Sequence, residues 1–152
     1  MATVYGVNRT LANNPAGSNI TDPGVLEGKL RVMMDSYEAA SLASGSIIEV
    51  GRELPKNARI INVILMTDAL GAGRTLAVGD YEDNDRYITA TTCNTANLVT
   101  YLNAIDGRLY EVDETYTGKT VGSGTDRQIT VTLGGGSAAT GTIKIAIIYT
   151  YE

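Results

Sequence analysis

The order of apolar and polar residues predicts β-strands along most of the chain from residue 29 onward. In "KLRVMM", Leu30, Val32 and Met34 fall on one side of an extended backbone, and Lys29 and Arg31 fall on the other. Runs of this kind are separated by turns rich in Gly, Asp and Asn. They cover residues 29–34, 46–50, 58–66, 74–78, 86–90, 108–112, 127–133 and 142–152.

Three of these runs indicate how the strands are arranged. Residues 58–66, "ARIINVILM", are apolar on both sides apart from Asn62, which is typical of a central strand covered on two faces. Residues 127–133 and 142–152 alternate most regularly. The Gly-rich "GGGSAATG" between them predicts a hairpin with a long loop.

One short helix is expected among the strands. In "TANLVTYLNAIDG", Leu98, Leu102 and Ile105 recur at helical spacing. An Asn or Thr before them would be the N-cap, and Gly107 would end the helix. Residues 35–45 predict a further short helical turn.

The first 28 residues differ from the rest of the chain. The segment "NRTLANNPAGSNITDPG" is dense in Asn, Gly, Pro and Thr and has no period of 2 or 3.6. Such a segment is either a floppy terminus or an extended arm that orders against a neighbouring subunit. The chain is therefore divided into an arm, residues 1–28, and a β-sandwich domain, residues 29–152. The apolar residues that an arm would bury are Val4, Tyr5, Val7, Leu11 and Ile20.

Composition limits both the core and the chemistry. At 152 residues, the chain is expected to form one domain that buries roughly 70% of its unfolded surface. It has no Phe, Trp or His and one Cys, so the core must be built from aliphatic side chains and Tyr rings. Short strands with little helix predict an all-β fold of β-sandwich or jelly-roll type, with one short helix and an extended N-terminal arm.

Charge and hydropathy argue against nucleic acid and membranes as partners. The net charge is −5, and Lys and Arg are scattered without a run. No stretch approaches the ~20 consecutive apolar residues of a membrane span. The first ten residues lack the basic and apolar regions of a signal peptide, so we expect the chain to fold in the cytoplasm.

The stretch "GDYEDNDRYI", residues 79–88, is the richest in potential metal ligands. Counted from Asp80, it lacks both the Gly and the final Glu of an EF-hand loop. Asp and Asn also accept hydrogen bonds in turns and tolerate left-handed backbone. We interpret the stretch as a solvent-exposed hairpin connection with ordinary pKa values; the alternative is a looser cation site on Asp80, Asp83 and Asp85.

Other stretches that resemble catalytic motifs lack an obligatory residue. The "GKT" at 118–120 would need a Gly where Asp113 stands to form a P-loop. Without His, neither a Ser-His hydrolase nor a common zinc site can be built, and Cys93 has no base to activate it. We therefore expect a protein without enzymatic activity or cofactor, in which Cys93 is buried.

Two segments resemble small structural proteins of tailed-bacteriophage virions. Residues 43–88 contain a strand, a Leu-Pro-x-x-Ala-x-Ile turn into the next strand, and the runs "TLAVGD" and "DRYI". The C-terminal "ATGTIKIAIIYTYE" resembles the closing strand of the same group. Together these segments span about two thirds of the chain and leave the arm uncovered.

Within that group the chain is most similar to head-decoration, or cement, proteins. The resemblance implies a protein that binds the outside of the major capsid shell, commonly as a homotrimer, and reinforces the shell against internal pressure. It implies the major capsid protein as partner and the virion surface as location. Tyr149 and Tyr151 join the arm residues as candidate interface residues because Tyr is enriched at interfaces; alternatively, they cap the core.

Two other functions stay open at this point. A neck, tail or baseplate protein could show the same strand pattern, and it would differ in having far fewer copies per particle. A carbohydrate-binding module is the other alternative, with Tyr81 and Tyr87 beside the acidic stretch as its aromatic platform.

Overall fold

The computed structural model describes residues 28–112 and 127–151, and these residues form β-strands without a helix. Extended backbone therefore accounts for all regular structure in the described part of the chain. The strands are β1 Leu30–Leu42, β2 Ile47–Glu49, β3 Arg59–Thr67, β4 Thr75–Gly79, β5 Ile88–Thr92, β6 Leu98–Tyr101, β7 Thr130–Gly134 and β8 Ala139–Thr150.

The strands form two four-stranded antiparallel sheets, which confirms the all-β prediction. Sheet A has the order β1-β8-β3-β6, and sheet B has the order β2-β7-β4-β5. Strands β1 and β8, from opposite ends of the described chain, pair from Leu30↔Thr150 to Leu42↔Ala139. Strand β3 pairs with the other edge of β8, so β8 lies in the interior of sheet A. Hydrogen bonds between distant parts of the chain therefore hold each sheet together.

One hydrophobic core contains side chains from both sheets. Sheet A contributes Val63 and Leu65 of β3 and alternate residues of β8, and sheet B contributes Leu76 and Val131. Burying an aliphatic side chain of this size stabilises the fold by about 1.5–3 kcal/mol. Tyr87 and Cys93 are fully buried in the same core. The prediction of an aliphatic core completed by Tyr is confirmed, as is the burial of Cys93.

The predicted helix between residues 95 and 107 is wrong. Residues Leu98–Tyr101 form β6, which pairs with β3 through Met66↔Val99 and Ile64↔Tyr101. The helical spacing of three apolar residues was a coincidence, since Leu102 is buried while Ile105 is exposed. Four residues that include a Val, a Thr and a Tyr favour a strand when a partner edge is available.

The helical turn predicted for residues 35–45 is also absent. Strand β1 continues through Leu42 because the twelve-residue β8 supplies a partner along this length. The register shifts between Ala39 and Leu42, and Ser41 in this interval has a φ of 57°. This irregularity is a β-bulge, which bends the end of the strand without ending it.

Two predicted strands are reduced in the structure. The run 86–90 contributes only from Ile88 onward, because residues 80–87 form the connection from β4. The run 108–112 contributes a single bridge between Glu111 and Arg59 rather than a strand. Local propensity is right at both places, but the available pairing partners limit the length of the strands.

Candidate functional site

The acidic stretch is a closed turn between β4 and β5, and Asp80 lies inside it. The Asp80 side chain is fully buried, so the expectation of an exposed loop is wrong at this residue. Its Oδ1 accepts hydrogen bonds from the backbone N–H groups of Glu82 and Asp83, both at 2.9 Å. Its Oδ2 accepts a hydrogen bond from Nε of Arg86 at 2.5 Å. Both carboxylate oxygens therefore hold the turn itself together.

Two glycines allow this turn to pack against its surroundings. A Cβ on Gly79 would lie 2.0 Å from the carbonyl oxygen of Asp83, so the turn closes over Gly79 only because it has no side chain. A Cβ on Gly107 would lie 2.3 Å from the carbonyl oxygen of Arg86. Gly107 therefore serves close packing against the turn and does not end a helix.

Arg86 connects the turn to the core. Its guanidinium carbon lies 4.2 Å from the centre of the Tyr110 ring, and its Nη2 also pairs with Glu82 at 3.1 Å. The Tyr110 ring meets the fully buried Tyr87 ring edge to face, with centres 6.3 Å apart. Cation–π and ring contacts of this kind fix the direction of the guanidinium toward Asp80.

The acidic residues do not have ordinary pKa values. Burial raises the pKa of Asp80, and hydrogen bonds from Arg86, Asp83 and Glu82 act against that rise. A hydrogen bond with Asp83 raises the pKa of Asp85, and burial and the charge of Asp83 act in the same direction. The expectation of unperturbed acids is therefore wrong for Asp80 and Asp85.

These carboxylates stand in different environments. Asp80 is buried and bonded within the turn, whereas Asp83 and Asp85 interact with each other near the surface. In the described ranges, no group of three or more Cys, Asp and Glu side chains is placed to hold a metal ion. The geometry therefore favours the turn interpretation over the cation site.

The aromatic platform expected of a sugar-binding site is not formed by Tyr81 and Tyr87. Tyr87 is fully buried, and the Tyr81 hydroxyl donates a hydrogen bond to Glu49 at 2.5 Å. That hydrogen bond, together with burial and the Glu49 charge, raises the pKa of Tyr81. Since a stacking platform needs exposed rings, this pair cannot provide one.

The candidate interface residues fall into two groups. The arm residues Val4, Tyr5, Val7, Leu11 and Ile20 lie outside the described residues. Tyr149 is buried in the core, and Tyr151 is partly buried, packs against the core and has the Arg31 guanidinium 6.0 Å from its ring centre. Their role at an interface stays a prediction.

Sequence reasoning missed an apolar surface on sheet A. Leu30, Val32 and Met34 share one face of β1 and are 67%, 58% and 76% exposed, so they point away from the core. Directly opposite residues of paired antiparallel strands lie on the same face. We define the outer face of sheet A by this register: Leu30, Val32, Met34 and Ser36 of β1, Lys144, Ala146, Ile148 and Thr150 of β8, Asn62, Ile64 and Met66 of β3, and Val99 and Tyr101 of β6.

The outer face of sheet A carries much of the exposed apolar surface of the described residues. Five of their ten exposed large apolar side chains lie on it, so the exposure is clustered and not scattered. The alternation of Leu30, Val32 and Met34 was visible in the sequence. Their direction was not, because it depends on which residues of β8 they oppose.

Two adjacent shallow depressions lie between β1 and β6 on this face, and we call the two together the groove. One depression of about 390 Å³ is lined by Met34, Ser36, Met66 and Lys144, among others. A second depression of about 280 Å³ also touches Met66 and Lys144 and continues to Val99. The two depressions share Met66 and Lys144, so they lie side by side on this face.

Comparison with known proteins yields similarity in structure only. No protein-family model matches the chain, and no curated protein matches it at a significant level. A chain of the cyanophage Pam1 capsid asymmetric unit has a TM-score of 0.65 and 22% identity, covering 82% of this chain and 86% of that one. A chain of the capsid of Ralstonia phage GP4 has a TM-score of 0.57 and 23% identity, covering 82% and 86%. At these identities the likeness shows a shared fold.

In the described residues, no helix is long and apolar enough to cross a membrane.

Proposed function

We propose that this protein is a structural component of a tailed-bacteriophage virion and, within that class, a head-decoration protein. It binds the outside of the major capsid shell and stabilises it without catalysis. The observation that carries the proposal is the shared fold with chains of two phage capsid structures over 82% of this chain. The resemblance of residues 43–88 and of the C-terminal strand to virion proteins supports the same class.

The strand order supports a jelly-roll fold for the body. Sheet A has the order 1-8-3-6, and sheet B has the order 2-7-4-5. In this order the first and last strands are neighbours, and the chain changes sheet after every strand except β4, which is followed by β5 in the same sheet. Eight-stranded folds of this kind recur in viral capsid and lectin domains, which places the proposal within a known use of the architecture. We take this body, residues 29–152, as the domain that sits on the shell.

The acidic turn supports a passive binding role over a catalytic one. Its buried carboxylate is bonded to Arg86 and to two backbone N–H groups, so its groups serve the stability of the loop. The net charge of −5 fits a partner surface with basic patches and would repel packaged DNA. The turn contributes stability, and the negative charge contributes complementarity to such a surface.

The proposed mechanism of shell stabilisation is multivalent binding. A homotrimer presents three copies of one footprint to neighbouring capsid subunits. After the first footprint binds, the other two bind at high effective concentration, so weak single contacts give a stable whole. The bound trimer then links subunits that would otherwise separate under pressure.

Two measurements test this proposal. Light scattering on the purified protein is expected to give the mass of a trimer. Sedimentation with undecorated heads of the source phage is expected to pellet the protein in amounts comparable to the major capsid protein. Heads that already carry their decoration are the matched control and should take up none.

The outcomes separate the candidate roles. A protein that does not pellet with undecorated heads but binds purified tails or necks would contradict decoration and favour the tail-associated role. A protein that binds neither particle would contradict a structural role in the virion. If the protein is a monomer and still saturates the heads, the decoration role stands and the trimer-based mechanism is wrong.

A further inference from the structure

We propose that residues 4–11 of the N-terminal segment fold back onto the outer face of sheet A in the same chain and occupy its groove. The segment would cover the apolar surface of the free protein before any assembly. This inference concerns the isolated chain and does not depend on the proposed function.

The outer face of sheet A presents a contiguous apolar surface that a binding segment could cover. Leu30, Val32 and Met34 expose most of their side-chain surface, and Val99 and Tyr101 extend the same patch across the sheet. An exposed apolar patch of a few hundred Å² often marks a binding site.

The size of the face fits an extended segment better than a second folded copy. With a strand spacing of about 4.8 Å, four strands span roughly 15 Å, and residues 144–150 of β8 span roughly 20 Å. The resulting area of roughly 300 Å² is well below the ~800 Å² that each partner buries in a standard interface. Eight extended residues are roughly 25 Å long, so they can cross the roughly 15 Å from β1 to β6.

The position of the segment in the chain places it within reach of its own groove. Strand β1 begins at Leu30, which is itself at a corner of the outer face. Residues 12–29 connect the proposed segment to β1 and could span up to roughly 60 Å, far more than the face requires. A short tether of this kind gives a high effective concentration, so the contact with the same chain precedes contact with another chain.

The sequence before β1 also favours a reversal of the chain. Asp22, Pro23, Gly24 and Val25 place Pro at the second position and Gly at the third position of a four-residue turn. This is the pattern of a type II turn, in which Gly takes the left-handed conformation at the third position.

The chemistry of the segment matches the groove. Residues 4–11 contain Val4, Tyr5, Val7 and Leu11, and Arg9 is the single charged side chain among them. The groove offers Met34 and Met66, whose flexible thioether side chains adapt to ligands of irregular shape. The apolar side chains of the segment can therefore be buried while Arg9 and Lys144 of the groove keep their charged ends in water.

The absence of Trp from the chain gives a direct test. The Tyr5→Trp variant of the full chain carries a single Trp in the proposed segment. Its reference is a peptide of residues 1–27 with the same substitution. We expect the Trp emission of the protein to lie at shorter wavelength and to be less quenched by acrylamide than that of the peptide. The shift should not change on dilution, because the contact lies within one chain.

Substitutions on the groove locate the contact. Adding Met34→Lys is expected to abolish the shift, and Val99→Lys is a second variant at the other end of the groove. Ile105→Lys is the matched control, since Ile105 is 80% exposed and lies outside the strands of sheet A. Urea unfolding of each variant checks that the fold is intact.

Three results would overturn the inference. A Trp that emits like the peptide would mean that the segment stays in solvent. A shift that disappears on dilution would place the segment on a neighbouring copy instead. A shift that survives both Lys substitutions in folded protein would place the segment elsewhere on the chain.

Discussion

Removal of the Arg86 side chain is expected to destabilise the protein in a strongly pH-dependent way. In the Arg86→Met variant, Asp80 keeps its two backbone hydrogen bonds but loses the guanidinium that pairs with its buried carboxylate. Breaking a buried ion pair by removing one partner typically costs about 3–5 kcal/mol, because the remaining charge is uncompensated.

The structure also sets a ceiling on this cost. Instead of remaining ionised without a partner, Asp80 can bind a proton. The free-energy cost of binding that proton is counted from the ordinary pKa of 3.8. At about 1.4 kcal/mol per pH unit, protonation costs roughly 4 kcal/mol at pH 7 and roughly 1.5 kcal/mol at pH 5. We therefore expect a loss in unfolding free energy of about 3–4 kcal/mol at pH 7, falling below about 2 kcal/mol at pH 5.

The assay is urea unfolding followed by circular dichroism at both pH values. With m-values of about 1–3 kcal/mol/M, the variant should unfold at a midpoint more than about 1 M lower at pH 7. The loss of the Arg86 contact with Tyr110 is the same at both pH values, so the difference between them isolates the charge. An equal loss at pH 5 and pH 7 would refute the reasoning.

The Asp80→Asn variant completes a double-mutant cycle. Asn keeps an oxygen for the two backbone N–H groups and removes the charge, so Asp80→Asn with Arg86→Met should be more stable at pH 7 than Arg86→Met alone.

Because burial raises the pKa of Asp80, the folded state binds a proton on this carboxyl more tightly than the unfolded chain does. The parent should therefore lose stability relative to Asp80→Asn as the pH rises through the raised pKa. If the parent instead gains stability relative to Asp80→Asn as the pH rises, the effect of Arg86 on the pKa of Asp80 is larger than the effect of burial.

Other perturbations test separate parts of the structure. Gly79→Ala should cost at least about 2 kcal/mol by urea unfolding, since its Cβ meets the closed turn, whereas Gly136→Ala has open space and should be neutral. Ile147→Ala, at a fully buried position of β8, should cost about 2–5 kcal/mol; a cost below 1 kcal/mol would contradict its place in the core. Changing Asp83 and Asp85 together to Asn should leave the melting temperature nearly unchanged with or without calcium; a calcium-dependent rise in the parent that the double variant lacks would restore the cation site.

Local alternation was sufficient to predict most of the strands and the aliphatic core. The regular alternation of residues 142–152 agrees with the structure, in which Ile143, Ile145 and Ile147 are buried. The sequence did not predict how the strands pair: the hairpin expected between residues 127–133 and 142–152 is wrong, since β7 and β8 lie in different sheets. The direction of Leu30 and the strand at Leu98 also depend on pairing with residues far along the chain. A short run of apolar residues reads equally well as a helix or as either face of a strand until its partner is known.

The acidic turn shows a different limit of sequence reasoning. The composition of residues 79–88 predicted a turn, and the structure agrees. The burial of Asp80 could not be predicted from the sequence. It follows from the close approach of the backbone to Gly79 and from the position of Arg86 over Tyr110. The one available signal was a Gly immediately before the first Asp, which allows the chain to close on itself.

The two outer faces of the protein differ in what they offer to a binding segment. On sheet B, the residues opposite one another on that side include Ala77 with Thr132 and Gly79 with Thr130, which are small or hydroxylated, and Ala77, Gly79 and Thr130 are buried. On sheet A, exposed Leu, Met, Val and Tyr side chains stand among a few polar ones, so exposed apolar surface is concentrated there.

The free energy of covering the outer face of sheet A is a close balance. At about 25 cal/mol per Å², burial of roughly 300 Å² yields about 7 kcal/mol. Ordering the backbone of eight residues costs about 1 kcal/mol or more for each, which is of the same size. Because the segment is tethered to the same chain, its effective concentration at the groove is high, and the segment can bind even when these two terms nearly cancel. Binding of this kind is reversible. A single Lys in the groove should then suffice to release the segment, and a partner that offers more apolar area could displace it.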